Sequence, residues 1–300
     1  MNEVVRLALI INPQAGRGHA ARAGAEAESA LRTAGAEVAL LEGSSAEQTR
    51  SLAQRAVRDE PDGIVVVGGD GTLTGIVDLL AESGLPITLV PAGTGNDLAR
   101  ALGIPTADPQ RAALAALSGS ARTIDLGTIS SQGSERVFLT VAALGFDAKV
   151  SERTNTLRHP SGRLRYYLAL VVELARLRQT AFRISVDGEV EHEQPGTLLA
   201  VGNTGSYGGG MPICPDARAD DGRLDVVHVA PLTRLRLLRL FPLLLRGTHL
   251  RRPEVQRRRA GSVRVSAPDL VVYADGERVG AGECSIGVRP AAVTMMIPRE

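Results

Sequence analysis

The stretch Ile64-Val-Val-Val-Gly-Gly-Asp-Gly-Thr-Leu73 leaves the chain few ways to fold. Four consecutive β-branched residues read as a strand buried on both faces. The strand runs straight into Gly68-Gly69-Asp70-Gly71-Thr72, after which Leu73, Ile76, Val77 and Leu80 recur at helical spacing and predict a helix over 73–81. Glycines let backbone N–H groups approach a phosphate closely, and the N-terminus of the following helix favours negative charge at the same point. The Asp70 carboxylate would repel a phosphate unless a cation lay between them, so the turn reads as a metal–nucleotide site. Without further context, the same residues make a glycine-rich connection with an Asp cap.

The flanking chain repeats the pattern. Val4 to Ile11 predicts a strand ending in Asn12-Pro13-Gln14-Ala15-Gly16-Arg17-Gly18, and Ala20 to Ala34 a helix. Val38–Leu41 predicts a second strand and Ala46–Arg58 a second helix. Ile87–Val90 predicts a strand ending in Pro91-Ala-Gly93-Thr94-Gly95-Asn96-Asp97, and Pro109–Leu117 one more helix before Arg122-Thr-Ile-Asp125-Leu-Gly127. Alternation at this period argues for a parallel sheet with helices on both faces. Right-handed crossovers put all three glycine turns at the sheet's C-terminal edge, where open α/β folds bind ligands.

Beyond the polar, pattern-free Ser130–Ser134, the signals change. Val137–Val141 is apolar and Leu144–Ala148 reads as a strand and turn. Tyr167, Leu170, Val171, Leu174 and Leu177 line one helical face. Short strands follow at 182–186, 198–203, 224–230, 262–265 and 271–273, with Asp187-Gly188 and Asp275-Gly276 as hairpin signals. The expected fold is therefore an N-terminal parallel-sheet α/β nucleotide-binding domain (1–128) and a C-terminal antiparallel β-sandwich-like domain (129–300), whose last strand can return to the first.

Composition removes several function classes. A net charge of +1 gives no field for nucleic acid, and 3% aromatics without Trp give no base-stacking platform. Cys214 and Cys284 lack metal-ligand spacing, which fits a reduced, cytoplasmic setting. The first strand is too short and lacks the basic flank of a signal peptide, and no apolar run reaches the ~18 residues that span a bilayer. Membrane contact is expected to be peripheral. Leu232–Arg252, rich in Leu and Arg, reads either as a membrane-surface helix or as a helix packed on the sandwich, split by Pro242 into two segments. Arg257-Arg258-Arg259 reads as a charge run.

Asn12-Pro13-x-x-Gly16, Gly68-Gly69-Asp70-Gly71-Thr72 and Gly93-Thr94-Gly95-Asn96-Asp97 resemble the catalytic-domain signature of the diacylglycerol kinase superfamily, in particular its soluble bacterial lipid kinases. Leu144-Gly-Phe-Asp-Ala148, Gly202-Asn203, Gly208–Gly210, Pro215-Asp216-Ala217, Asp221–Asp225 and Ala274-Asp275-Gly276-Glu277 resemble the same family's second domain. The resemblance implies ATP-dependent phosphorylation of a lipid hydroxyl, foremost diacylglycerol to phosphatidic acid, on the inner face of the membrane.

Asn12, Pro13, Gly16, Arg17, Gly68, Gly69, Asp70, Gly71, Thr72, Leu73, Thr74, Gly93, Thr94, Asn96 and Arg100 are the expected nucleotide-binding residues, with Arg17 and Arg100 offsetting phosphate charge. Asp70 and, through waters, Asp97 and Asp125 are expected to place Mg²⁺. The resemblance also implies a structural Mg²⁺ on Asp221 and the backbone carbonyls of Arg218 and Arg223. From spacing alone, Asp-Gly-Glu at 187–189 and at 275–277 are both hairpin tips. The family's catalytic triplet lies near the C-terminus and matches the second, making Asp275 or Glu277 the expected base. The alternatives are a kinase of phosphatidylglycerol or a sphingoid base, a soluble-substrate kinase of the NAD kinase or phosphofructokinase type, and a non-catalytic lipid-binding regulator. A homodimer is a possible assembly.

Overall fold

The computed structural model describes residues 4–157, 159 and 163–299. They form two compact units, one running to Leu126 and taking in the chain from Pro290, the other spanning Gly127–Arg289.

The first unit contains β1 (Arg6–Ile11), α1 (His19–Thr33), β2 (Glu37–Glu42), α2 (Ala46–Arg58), β3 (Gly63–Gly68), α3 (Asp70–Thr74), α4 (Val77–Ser83), β4 (Ile87–Pro91), α5 (Asp97–Ala101), α6 (Pro109–Ser118) and most of β5 (Ser120–Ser131). The strands lie in the order β2-β1-β3-β4, all parallel. Every residue of β3 is buried, which explains its unbroken apolar run. Ser45 caps α2 by accepting the Gln48 N–H at 3.2 Å, and Asp108 caps α6 at Arg111. The helix expected over 73–81 is two helices. It begins earlier, at Asp70, and breaks where Ile76 leaves helical space (φ −133°) so that Ile76 and Val77 both reach the core.

The second unit opens with the end of β5 and β6 (Ser134–Phe138), joined by Gln132 and Gly133 at φ +51° and +75°. The stretch expected to be pattern-free is thus the tip of a hairpin. β7 (Val141–Gly145) feeds α7 (Phe146–Thr156), so Leu144–Ala148 is a strand end and a helix start. α8 (Arg163–Ala175), β8 (Thr180–Val186), β9 (His192–Gly196), β10 (Leu198–Gly202), β11 (Leu224–Val229), α9 (Arg234–Leu245), β12 (Val255–Ala260), β13 (Ser262–Ser266), β14 (Val271–Ala274), β15 (Glu277–Ala281) and β16 (Cys284–Ile297) follow. One antiparallel sheet runs β12-β11-β10-β7-β14-β15. A second antiparallel set joins β9, β8, β13 and the first residues of β16. β16 ends in the first unit, where Met295 pairs with Ile87 of β4.

Ala142, Leu144, Leu199 and Val226 of one sheet meet Phe182, Ile184, Val263 and Ile286 of the other in one core. The intervening Val141, Leu198, Ala200 and Val227 face a second core with Phe146, Val150, Ala169, Leu237 and Leu240 from α7, α8 and α9. Both faces of that sheet are dry, which is why β11 alternates so poorly in sequence. The helical face expected on α8 is only partly right. Leu170 and Leu174 pack inward, but Tyr167 and Val171 are 53% and 61% exposed. Pro242 does not split α9, which continues to Leu245; at one turn from the end it removes a single ladder bond. Arg257–Arg259 is no free charge run but the middle of β12, paired along β11.

Candidate active site

The three glycine turns of the first unit converge. A Cβ placed on Gly16 would lie 1.9 Å from the Ala92 carbonyl oxygen, and one on Gly93 would lie 2.4 Å from the Gly69 Cα. Only glycine allows these backbones to pass so closely. Gly16, Arg17 and Gly18 are all left-handed, at φ +58°, +61° and +90°. Non-glycine residues rarely hold that conformation except where the surroundings enforce it, as at ligand clamps. The Asn12 side chain accepts the Gln14 N–H at 3.2 Å and holds the turn's entry, with Pro13 between them.

Asp70 ties the second turn to the third. Its carboxylate accepts the Asp97 N–H at 2.9 Å and the Leu98 N–H at 3.1 Å, the first donors of α5. Asn96, left-handed at φ +55°, closes the third turn by bonding both the N–H and the carbonyl of Gly93. Gly93 and Thr94 therefore sit in a loop fixed from two directions. Gly68, Gly69, Gly71, Thr72, Leu73 and Thr74 form the strand end and α3 itself, with Leu73 fully buried as its anchor. Arg100 folds back onto the Gly95 carbonyl and the Asp97 carboxylate, so it braces the turn, while Arg17 is exposed. Asp125 is buried on β5 and accepts the Ala291 N–H at 2.8 Å.

Among the described residues, no three acidic, His or Cys side chains come together as a metal cage. Asp70, Asp97 and Asp125 therefore do not form a direct all-protein coordination sphere. Mg²⁺ keeps several waters and takes one or two carboxylates with substrate phosphates, so such an ion would need only one or two of these side chains. An ionised carboxylate offers about four acceptor positions, and the Asp97 and Leu98 N–H groups occupy two of those of Asp70.

In the second unit, Asp275 stands at the β14–β15 turn with φ +50°. Its carboxylate accepts the Leu139 N–H at 2.7 Å, the Thr140 N–H at 2.9 Å and the Thr140 hydroxyl. Asn155 donates to the Gly276 carbonyl, and Asn203 donates to that of Leu139. Thr140 escaped the sequence reasoning. Its one signal was a hydroxyl residue directly ahead of the apolar β7, far from Asp275 in the chain. Glu277 is exposed.

Asp187, the turn of the other Asp-Gly-Glu, accepts the Gly261 and Ser262 N–H groups and pairs with Arg223. Asp221 accepts the Arg223 N–H at 3.1 Å and pairs with Arg259, while Arg218 pairs with Asp220. A cation at Asp221 would share that carboxylate with a guanidinium. Asp147, at the start of α7, is buried; the Tyr207 hydroxyl bonds it, Oδ2 has no partner among the described residues, and burial pushes its carboxyl up to about 6.

Residues 6–129 match the family model described as the diacylglycerol kinase catalytic domain, and 140–297 that described as the YegS C-terminal NAD kinase beta sandwich-like domain. A diacylglycerol kinase of Mycobacterium tuberculosis (strain ATCC 25618 / H37Rv) is 42% identical over 299 residues, covering 99% of this chain and 97% of that one. The chain belongs to the diacylglycerol kinase family. A diacylglycerol kinase of Bacillus subtilis (strain 168) is 31% identical, covering 92% of this chain and 90% of its own. A crystal structure of a diacylglycerol kinase from Bacillus anthracis str. Sterne shares the fold, with a TM-score of 0.74 at 21% identity over 99% of this chain and 98% of that one. The diacylglycerol kinase resemblance and the α/β-plus-β-sandwich-like fold expected from sequence are both borne out. This diacylglycerol kinase family member is a lipid kinase, with ATP the co-substrate its kinase family implies.

Proposed function

We propose that the chain transfers the γ-phosphate of ATP to the hydroxyl of diacylglycerol, giving phosphatidic acid, at the inner surface of the membrane. The observation that carries this reading is the Asp70 carboxylate bonded across to the Asp97 and Leu98 amides, which makes two glycine turns one rigid cradle. The relatives named as diacylglycerol kinases supply the substrate class. Among the described residues no helix is long and apolar enough to cross a membrane.

The backbone N–H groups of 12, 14–18, 68–74 and 93–97 approach the phosphates, and Arg17 offsets their charge. Mg²⁺, held by Asp70 and through waters by Asp97 and Asp125, would neutralise the triphosphate when bound. Asp275 is pre-oriented by three donors to accept the lipid hydroxyl's proton, with Glu277 the neighbouring alternative. Asp221 with the carbonyls of Arg218 and Arg223 would hold a second, structural Mg²⁺. Phosphoryl transfer of this kind depends on positioning and charge stabilisation and needs no covalent nucleophile.

The test is ATP turnover against a panel of lipid alcohols in mixed micelles: diacylglycerol, phosphatidylglycerol and a sphingoid base, with NAD and fructose 6-phosphate alongside. Diacylglycerol should be preferred. Preference for a soluble acceptor, or ATP binding without turnover on any lipid, would overturn the reading.

A further inference from the structure

β7 has β10 on one side and β14 on the other, and both neighbours end beside its entry. Gly202, the last residue of β10, pairs with Val141, and Ala274, the last of β14, pairs with Ala142. Leu139 and Thr140, just ahead of β7, therefore lie between the chain leaving β10 and the chain leaving β14. The next residue after the first strand is Asn203, and the next after the second is Asp275.

Leu139 and Thr140 form a bend and divide their backbone groups between these two neighbours. Both N–H groups go to the Asp275 carboxylate, at 2.7 and 2.9 Å. Both carbonyls go to the other side. That of Leu139 accepts the Asn203 side-chain amide at 3.0 Å, and that of Thr140 accepts the Asn203 and Thr204 N–H groups at 2.8 and 3.1 Å. The Leu139 carbonyl and the Thr140 N–H belong to one peptide group. A donor on its oxygen polarises the group and strengthens its N–H as a donor, so Asn203 and Asp275 grip one dipole from opposite ends.

The side chain making this contact is fully buried. Burying an amide is unfavourable unless it is hydrogen-bonded, and this one spends a donor on the peptide that faces Asp275. Its backbone is held in place by close packing, since a Cβ on Gly202 would stand 2.8 Å from the Cys214 Cβ and from the Thr204 carbonyl oxygen.

We propose that Asn203 is a positioning residue for phosphoryl transfer: its side-chain amide fixes the Leu139–Thr140 peptide with the N–H directed at Asp275, and so fixes the carboxylate that takes the lipid hydroxyl's proton. This rests on the reading of Asp275 as base, and the experiment separates the two. Initial rates on diacylglycerol in mixed micelles are measured for wild type, Asn203→Ala, Asp275→Asn and the double variant, with urea melts beside them. Asn203→Ser, which loses the amide but keeps a polar group at the buried position, repeats the cycle should Asn203→Ala fail to fold.

Misplacing a reacting group costs rate rather than ATP affinity, so Asn203→Ala should lower kcat by about tenfold with the KM for ATP unchanged. On the Asp275→Asn background the same substitution should change kcat by less than about twofold, because the group it positions is gone. A loss of the same factor on both backgrounds is what a strand-end filler would give, and it overturns the proposal. A second cycle on the same four proteins follows the Thr140 amide by ¹H–¹⁵N NMR and needs no turnover. Asn203→Ala should move that signal upfield, and the movement should vanish where residue 275 is already changed. If Asp275→Asn turns over like wild type, the base reading falls, and this signal alone decides: coupled movement keeps Asn203 as the residue that orients Asp275, and equal movement on both backgrounds removes it.

Discussion

Asp70 and Asp97 are 27 residues apart, and the carboxylate of the first accepts the backbone N–H of the second at 2.9 Å. Asp70 thereby caps α5 from another loop, a charge-assisted bond at the positive end of a helix. Asp70→Asn keeps one acceptor oxygen and loses the charge, so the fold should survive at a cost of about 1 kcal/mol. Turnover should fall by far more, on the order of a hundredfold or beyond, because the same carboxylate is assigned to Mg²⁺. Urea melts beside initial rates check both; wild-type turnover in Asp70→Asn would remove the metal assignment.

The glycines divide into two kinds, which alanine substitution should separate. At Gly93 a Cβ would stand 2.4 Å from the Gly69 Cα, and at Gly16 it would stand 1.9 Å from the Ala92 oxygen with φ already +58°. Either alanine should destabilise the first unit by roughly 2–4 kcal/mol through backbone displacement. Around Gly71 nothing lies within 4 Å and φ is ordinary, so Gly71→Ala should melt within about 0.5 kcal/mol of wild type. If Gly71 serves phosphate approach, this stable variant should still show a raised KM for ATP. An unaltered KM would leave Gly71 as a connection only.

The strand, turn and helix around Gly68–Thr72 were legible because local pattern alone decides them: a dry strand, a glycine turn, then helical spacing. What joins the turns was not, since a hydrogen bond from Asp97 to Asp70 or a contact of Gly16 with Ala92 leaves no mark on either segment's periodicity. The misread elements have a common cause in tertiary context. Ile76 breaks a helix that its spacing would continue, because Ile76 and Val77 both go to the core. Arg257–Arg259 forms a strand that its charge run does not announce, since β11 supplies its ladder and Asp225 and Asp221 its counter-charges. Thr140 could be found only once Asp275 was seen bonded to it.

Thr140 makes the assignment of the base testable. Thr140→Val removes the hydroxyl from the Asp275 carboxylate but keeps the backbone donors of residues 139 and 140. With Asp275 as base, kcat should fall by about tenfold in Thr140→Val and by about a hundredfold or more in Asp275→Asn, within the span of general-base effects. Glu277→Gln, at an exposed position, should then stay near wild type. The reverse order, a large loss in Glu277→Gln with Thr140→Val silent, would transfer the role to Glu277.

Asp147 should give the protein a pH-dependent stability unrelated to turnover. Burial raises its carboxyl from the ordinary 3.8 to about 6, against the opposing bond from the Tyr207 hydroxyl. The hydroxyls of Tyr207 and Tyr166, which face it, are themselves pushed upward by burial and remain neutral through this range. The folded value lies above the unfolded one, so the native state holds the extra proton. Its stabilising share is fully present below about pH 4 and is lost as pH rises through about 6. The shift corresponds to roughly 3 kcal/mol between those limits. Asp147→Asn has no proton to lose. Measured by urea melts, the stability of wild type relative to Asp147→Asn should decline from pH 4 to pH 7 by up to that amount. A difference that stays level across the range would mean that Asp147 ionises in the folded protein as easily as in water.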